Sequence, residues 1–442
     1  SIVDPTQQNP MLARKSHFTP RAKRVIFLFM HGGPSSIDTF DFKPKLVRDH
    51  GKPLPIKRPL AFDDKTPGPL MKPMWEFRPG GESGILVSDL FPHVRSCVDD
   101  LCIIKSMVGN GVDHGAALLQ TFTGSSTFTR PSMGSWVLYG LGTENQDLPG
   151  YVMIKPSLAH GGSKNWSSAF LPGAYQGTPI GNAGLKVNDI RNEPIEYLTN
   201  EGFSAEHQRF ELDMLRNVNR RHAERRKFDP RLEARIQQFE LAFRMQMEAP
   251  KVFEIDKESE ATKKLYGLDE PETLDFGWQC LLARRLAERG VRFIQCTHSH
   301  WQARDAWDQH TKLVAKHTDN AKEVDKPIAG LLKDLKARGM LDDTLVIWAG
   351  EFGRTPKVNK NAGRDHWPNC YSAVLAGGGV KGGQIYGSSD KHAAYVAANP
   401  VTPDDFTATI YHAFGLPPET PIYDQQNRPI PLSKGRPISA IF

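Results

Sequence analysis

Three short apolar runs constrain this chain more than any other feature of its 442 residues: RVIFLFM at 24–30, VRFIQC at 291–296 and LVIW at 345–348. Each has strand length and none alternates strictly between apolar and polar. Such runs read as strands covered on both faces, the condition of a parallel sheet inside an α/β protein. Each also ends in residues that carry chemistry. The first meets His31-Gly32-Gly33-Pro34 and then Ser35, Ser36 and Asp38; the second meets His298, Ser299 and His300; the third meets Gly350 and Glu351. In open α/β sheets the loops beyond the strand C-termini form the binding crevice.

Further strands are expected at 101–104, 150–154 and 371–376. Helices are expected from about 116, over 133–139, from 273 to 285, over about 320–338 before Gly339, and from a Thr402-Pro-Asp-Asp cap through Phe414. Strand, polar strand-end loop and helix recur, which is the signature of an α/β fold: three α/β/α layers with a mostly parallel central sheet. Residues 1–21 read as an extended N-terminal arm, and 22–442 as a single α/β domain with a helical insertion at about 201–265, where Asp229 and Pro230 open the second of two amphipathic helices.

Net charge is +6, with much of the excess in RNVNRRHAERRKFDPRLEAR at 216–235. A nucleic-acid partner would need such a basic stripe, but Glu and Asp are interleaved here, so a solvated helix face is the better reading and no nucleic acid is expected. No window approaches the apolar run of a membrane span. The chain starts at Ser1 without a signal peptide, as a processed or trimmed start would. Cys97, Cys102, Cys280, Cys296 and Cys370 form no CxxC, and buried free thiols are expected.

Candidate ligands gather at the strand ends. After 291–296 come His298, His300, Asp305, Asp308 and His310; after 345–348 come Glu351 and, at the end of a polar loop, Asp365 and His366; His31 and Asp38 follow the first run. Imidazole mixed with carboxylate suits a divalent metal, zinc or calcium. Ser35 and Asp38 equally suit a helix cap, and a histidine cluster without metal stays open. His114, in GNGVDHGAALLQTFTG at 109–124, stands at a helix start whose amides favour an anion or an ionised nucleophile. Arg354 and Arg364 are candidates to bind a substrate anion, with solvated loop cations the alternative.

Five blocks, FLFMHGGPSSIDTFDFKPKL, WDQH, DTLVIWAGEFGRTP, GRDHW and VTPDDFTATIYHAFGL, resemble a large, uncharacterised, sulfatase-like bacterial family of the alkaline phosphatase and sulfatase superfamily. The resemblance implies an alkaline phosphatase-like fold and metal-dependent hydrolysis of sulfate or phosphate esters, with glycan esters among the substrates. It implies Asp308, His310 and His366 as ligands of one metal subsite and Glu351 as the acidic ligand of another. It also implies an exported, periplasmic protein, since relatives usually carry a twin-arginine signal. Departures are specific. His31 stands where relatives have Asp, Phe352 where they often have His, Leu118 where an arginine is expected, and the nucleophile position falls on His114 rather than Ser, Thr or Cys. His114 is then a ligand, a nucleophile or a base, with Glu351 a second proton acceptor. The missing nucleophile also fits a catalytically silent ligand-binding or scaffold protein.

Overall fold

The computed structural model describes residues 9, 11–55, 68–196, 198, 202–224, 230–299, 306–424 and 426–442. Its centre is an eight-stranded sheet. The strands are β1 Arg24–Met30, β2 Leu101–Met107, β3 Tyr151–Ile154, β4 Thr178–Ile180, β5 Phe293–His298, β6 Thr344–Ala349, β7 Tyr371–Ala376 and β8 Gln384–Tyr386, in the spatial order β8-β2-β7-β6-β1-β5-β3-β4. β1 lies between β5 and β6, parallel to both, and β3 and β4 extend the parallel array. Only β7 runs against its neighbours, β6 and β2.

The continuous apolar runs are explained by burial on both faces. Val25, Phe27 and Phe29 of β1 enter one core with helices α1 His114–Thr123, α2 Met133–Leu141 and, from the C-terminal region, α7 Pro403–Ala413. Ile26, Leu28 and Met30 enter the other core with α5 Leu274–Glu288 and α6 Leu313–Ala337. Two-residue alternation on a strand thus feeds two helical layers, and the architecture is three-layer α/β/α. α7 carries its expected cap: Thr402 Oγ1 accepts from Asp405 N at 3.1 Å while Thr402 N donates to the Asp405 carboxylate at 2.9 Å.

One expectation needs correction. α6 starts at Leu313, well before 320. His317 and Asn320 occupy inward positions and interrupt its apolar period, yet both are buried with polar partners: Asn320 donates to Ala306 O, and His317 pairs with Gln309. β7 is the antiparallel strand of an otherwise parallel sheet, as 'mostly parallel' allows, and the chain reaches it after a ribbon of Gly353–Arg354 and His366–Trp367.

In the expected insertion, α3 Ala205–Glu224 and α4 Pro230–Phe253 pair through ions, with Arg209 and Arg216 both on Glu240 at 3.0 and 2.8 Å. No described helix is long and apolar enough to cross a membrane. All five cysteines are buried and unbridged, and burial pushes the Cys102 thiol up to about 12. Asp229, His300, Asp305 and the first eight residues of the N-terminal arm lie outside the described residues.

Candidate metal centre

Because β6, β1 and β5 are adjacent and parallel, their C-terminal ends open at one edge, with Met30 beside His298 and Phe29 beside Ala349. Close backbone approach then brings the loops together. A Cβ at Gly32, whose φ is +114°, would collide with the Asp308 backbone, and one at Gly363 with that of His310. Only glycine allows both contacts.

Asp308 is the focus. His310 Nε2 lies 3.0 Å and His366 Nε2 3.1 Å from its Oδ1, and His114 Nε2 3.5 Å from its Oδ2. The Nε2 atoms of His310 and His366 are 2.9 Å apart. On the far side of each ring, Nδ1 meets an acceptor: Glu351 Oε1 at 2.6 Å for His114, Asp365 Oδ1 at 2.8 Å for His310, and the Val112 carbonyl at 2.8 Å for His366. A carbonyl or carboxylate oxygen can only accept, so each Nδ1 carries a hydrogen; each Nε2 then either donates a hydrogen to Asp308 or, unprotonated, presents its lone pair to a cation. Three Nε2 atoms and a carboxylate therefore meet at close range, and the 2.9 Å between the Nε2 atoms of His310 and His366 requires a proton or a cation between them. A shared proton or a metal ion answers that need, and imidazoles held from behind by oxygen acceptors are the usual support of a metal ligand set. The donors fit a divalent ion.

The surrounding charges push the groups of the centre in different directions. Burial raises the Asp308 carboxyl, but hydrogen bonds with His114, His310 and His366 and the Arg354 guanidinium outweigh it and hold the group far below the usual carboxylate range. Burial lowers His310, yet Asp308 and Asp365 carry it above the ordinary histidine value. Burial, reinforced by Arg354 and His114, leaves His366 below it.

Several sequence candidates take other places. Glu351 is buried behind His114, accepting from Gly32 N at 2.9 and 3.2 Å. Arg354 and Arg364, candidates to bind a substrate anion with solvated loop cations the alternative, are buried and clamp the loops. Arg354 donates to Asp308 at 2.6 Å, to Gly33 O at 2.9 Å and to Gly32 O. Arg364 pairs with Asp38 at 2.8 Å and donates to the Thr355 and Met71 carbonyls. Asp38 also accepts from Ser35 Oγ at 2.6 Å, so it belongs to this buried ion pair and not to the donor set. His298 is committed on both ring nitrogens, to Glu323 at 2.7 Å and to the Trp307 indole at 2.9 Å. His31 borders the centre, its ring 6.2 Å from that of His114.

His160 escaped sequence reasoning. It is exposed, its φ is +50°, and its ring lies 4.8 Å from His114 and 5.6 Å from His31. A histidine ahead of Gly161-Gly162 was the available signal. A non-glycine residue in left-handed backbone beside a reactive cluster is a recurrent mark of a functional position.

Solved structures similar to this chain include the lipoteichoic acid synthase LtaP from Listeria monocytogenes, at 8% identity and a TM-score of 0.41 over 90% of this chain and 73% of that one. They also include the PsFucS1 sulfatase from Pseudoalteromonas sp., at 12% and 0.38 over 91% and 69%. An alkaline phosphatase from the Antarctic bacterium TAB5 matches at 11% and 0.34 over 85% and 96%. No curated protein matches the sequence. Residues 22–442 match DUF1501, a protein family of unknown function, and the chain belongs to that family.

Proposed function

We propose that this chain is a metal-dependent hydrolase of sulfate or phosphate esters, with esters borne on a glycan as the substrate class. One observation carries the reading: the Nε2 atoms of His114, His310 and His366 converge on Asp308, each ring fixed from behind by an acceptor. Three nitrogens and one carboxylate support zinc over calcium, which prefers an all-oxygen shell. When bound, the ion would supply Lewis acidity to the ester's anionic oxygens.

The chain's own residues do the rest. Glu351, Asp365 and the Val112 carbonyl keep the Nδ1 protons in place, so the three Nε2 atoms stay turned toward the Asp308 carboxylate. Arg354 fixes Asp308 and joins it to the Gly32 and Gly33 carbonyls, holding the centre to the β1 tip. His114 and Glu351, the sequence candidates for catalysis, act in this reading as a ligand and its orienting carboxylate.

Purified protein is expected to hold about one zinc-like ion per chain by elemental analysis, and to turn over aryl sulfate or phosphate in a chelator-sensitive way. Asp308→Asn and His366→Ala should lose the ion, and Glu351→Gln should weaken its binding by roughly 10- to 100-fold. Protein that neither contains nor takes up a divalent ion would sink the proposal.

A second reading is a silent ligand-binding protein on the same scaffold. It is favoured by His114, which stands at the expected nucleophile position and is turned toward Asp308 as a donor. Ion binding with no turnover of any ester would select it. The exported, periplasmic location follows from the family resemblance alone, and fractionation of the native host tests it.

A further inference from the structure

Helix α3 is inverted for a surface helix. Amphipathic helices ordinarily direct an apolar stripe at the body and their charges at water. In α3 it is Arg209 and Arg216 that turn toward the neighbouring helix and close on Glu240 of α4, with the Arg209 guanidinium also lying over the Phe243 ring. Phe210, Met214 and Val218 recur at i, i+4 and i+8, so they share the side away from α4. They are 63%, 54% and 61% exposed, and Leu215 beside them is 51% exposed. Phe203, also exposed, continues the stripe ahead of the helix, its ring 5.0 Å from that of His207. Single exposed apolar residues are ordinary, but a continuous row of large ones marks an interaction surface.

The charges along the helix select what covers that row. α3 itself is neutral, with four acidic residues and four arginines. They are not mixed evenly. Residues 193–206, leading into its first turn, carry four Glu and no Lys or Arg, whereas residues 216–227, at its far end, carry six Lys and Arg against one Glu. An anionic lipid surface would meet repulsion along the first half, where basic residues are needed throughout. A second helix of the same sequence, laid antiparallel, sets each acidic end against a basic one. Such self-complementarity is what a two-fold interface between identical chains requires. We propose that α3 pairs antiparallel with α3 of a second copy of this chain, about a two-fold axis at Met214. In this register Phe210 of each copy packs on Val218 of the other, and the exposed Glu206 of each meets the exposed Arg221 of the other. The pairing does not rest on the hydrolase reading, since neither α3 nor α4 contributes to the donor set around Asp308.

Sedimentation velocity on the whole chain across the micromolar range tests the proposal, with a dimer expected that dissociates on dilution. Met214→Glu places two carboxylates against each other at the axis and should raise the dimer dissociation constant by about tenfold or more. The melting temperature of the dilute, monomeric protein should stay unchanged, because Met214 is exposed there. Were the stripe packed within its own chain, the same substitution would lower that temperature and leave the association state alone. Glu206→Arg and Arg221→Glu, each taken singly, put like charges opposite each other at both ends and should weaken self-association. Mixed together, these two variants restore both ion pairs and should form a heterodimer tighter than either homodimer, a gain that no loss of folding can imitate. A monomer at every concentration, a dimer indifferent to Met214→Glu, or mixing without gain overturns the pairing. Vesicle flotation with phosphatidylcholine and phosphatidylserine supplies the remaining arm. A chain that stays monomeric and floats with the vesicles assigns the stripe to a lipid surface, which also overturns the second copy as its occupant.

Discussion

At the scale of single residues, the arginines around the centre show how far a side chain's role depends on what surrounds it. Arg364 and Asp38 form an ion pair with neither side chain exposed, completed by backbone carbonyls and Ser35. Removing one partner leaves the other as an uncompensated buried charge, so Arg364→Ala is expected to cost roughly 3–5 kcal/mol. Denaturant titration would measure it. Replacing both with apolar residues of similar volume should be far milder, which separates a clamp from a substrate contact. Nothing in GRDHW distinguishes the two roles, since an arginine in a polar loop has the same letters whether it meets solvent, an anion or carbonyls. His310 and His366 were legible for the opposite reason: an imidazole near a strand end keeps its chemical meaning in most surroundings.

At the scale of elements, the loops matter more than the strands they leave. The 363–366 segment passes so close to His310 that Gly363 has no room for a side chain. Gly363→Ala should therefore displace His366 relative to His310 and lower both ion affinity and melting temperature, readable by metal titration beside calorimetry. Strands β1 and β6 were visible in the sequence because burial on both faces leaves an unbroken apolar run. The first turns of α6 were not, because His317 and Asn320 stand inward there, and their cost is offset by partners distant in the sequence. Strand direction was equally hidden: β7 is as apolar as the strands it opposes, and the ribbon before it turns the chain around.

At the scale of the whole molecule, acid should find a defined weak point. His317 is fully buried, and burial lowers it from the usual value to about 4. Its Nε2 accepts from Ser35 N at 3.4 Å, so a proton there would face another hydrogen. The unfolded chain binds that proton below about pH 6.5 and the folded one only below about 4. Stability from this group is therefore complete above pH 6.5 and is lost as pH falls through that window, by about 3 kcal/mol in all. Urea midpoints between pH 7 and 4 should show the loss, and a His317→Gln variant should show less of it.

The spacing of the partners has a different consequence. His114 and the carboxylate that orients it are 237 positions apart in the chain, and His310 and Asp365 are 55 apart. No fragment short of the closed sheet can assemble the four donors, so ion capture would be among the last events of folding and would act as a fastener on the finished topology. By mass action, free ion at a hundred times its dissociation constant would add about 2.7 kcal/mol to stability. Loading would then be readable in the melting curve of the entire protein, far from any assay of chemistry.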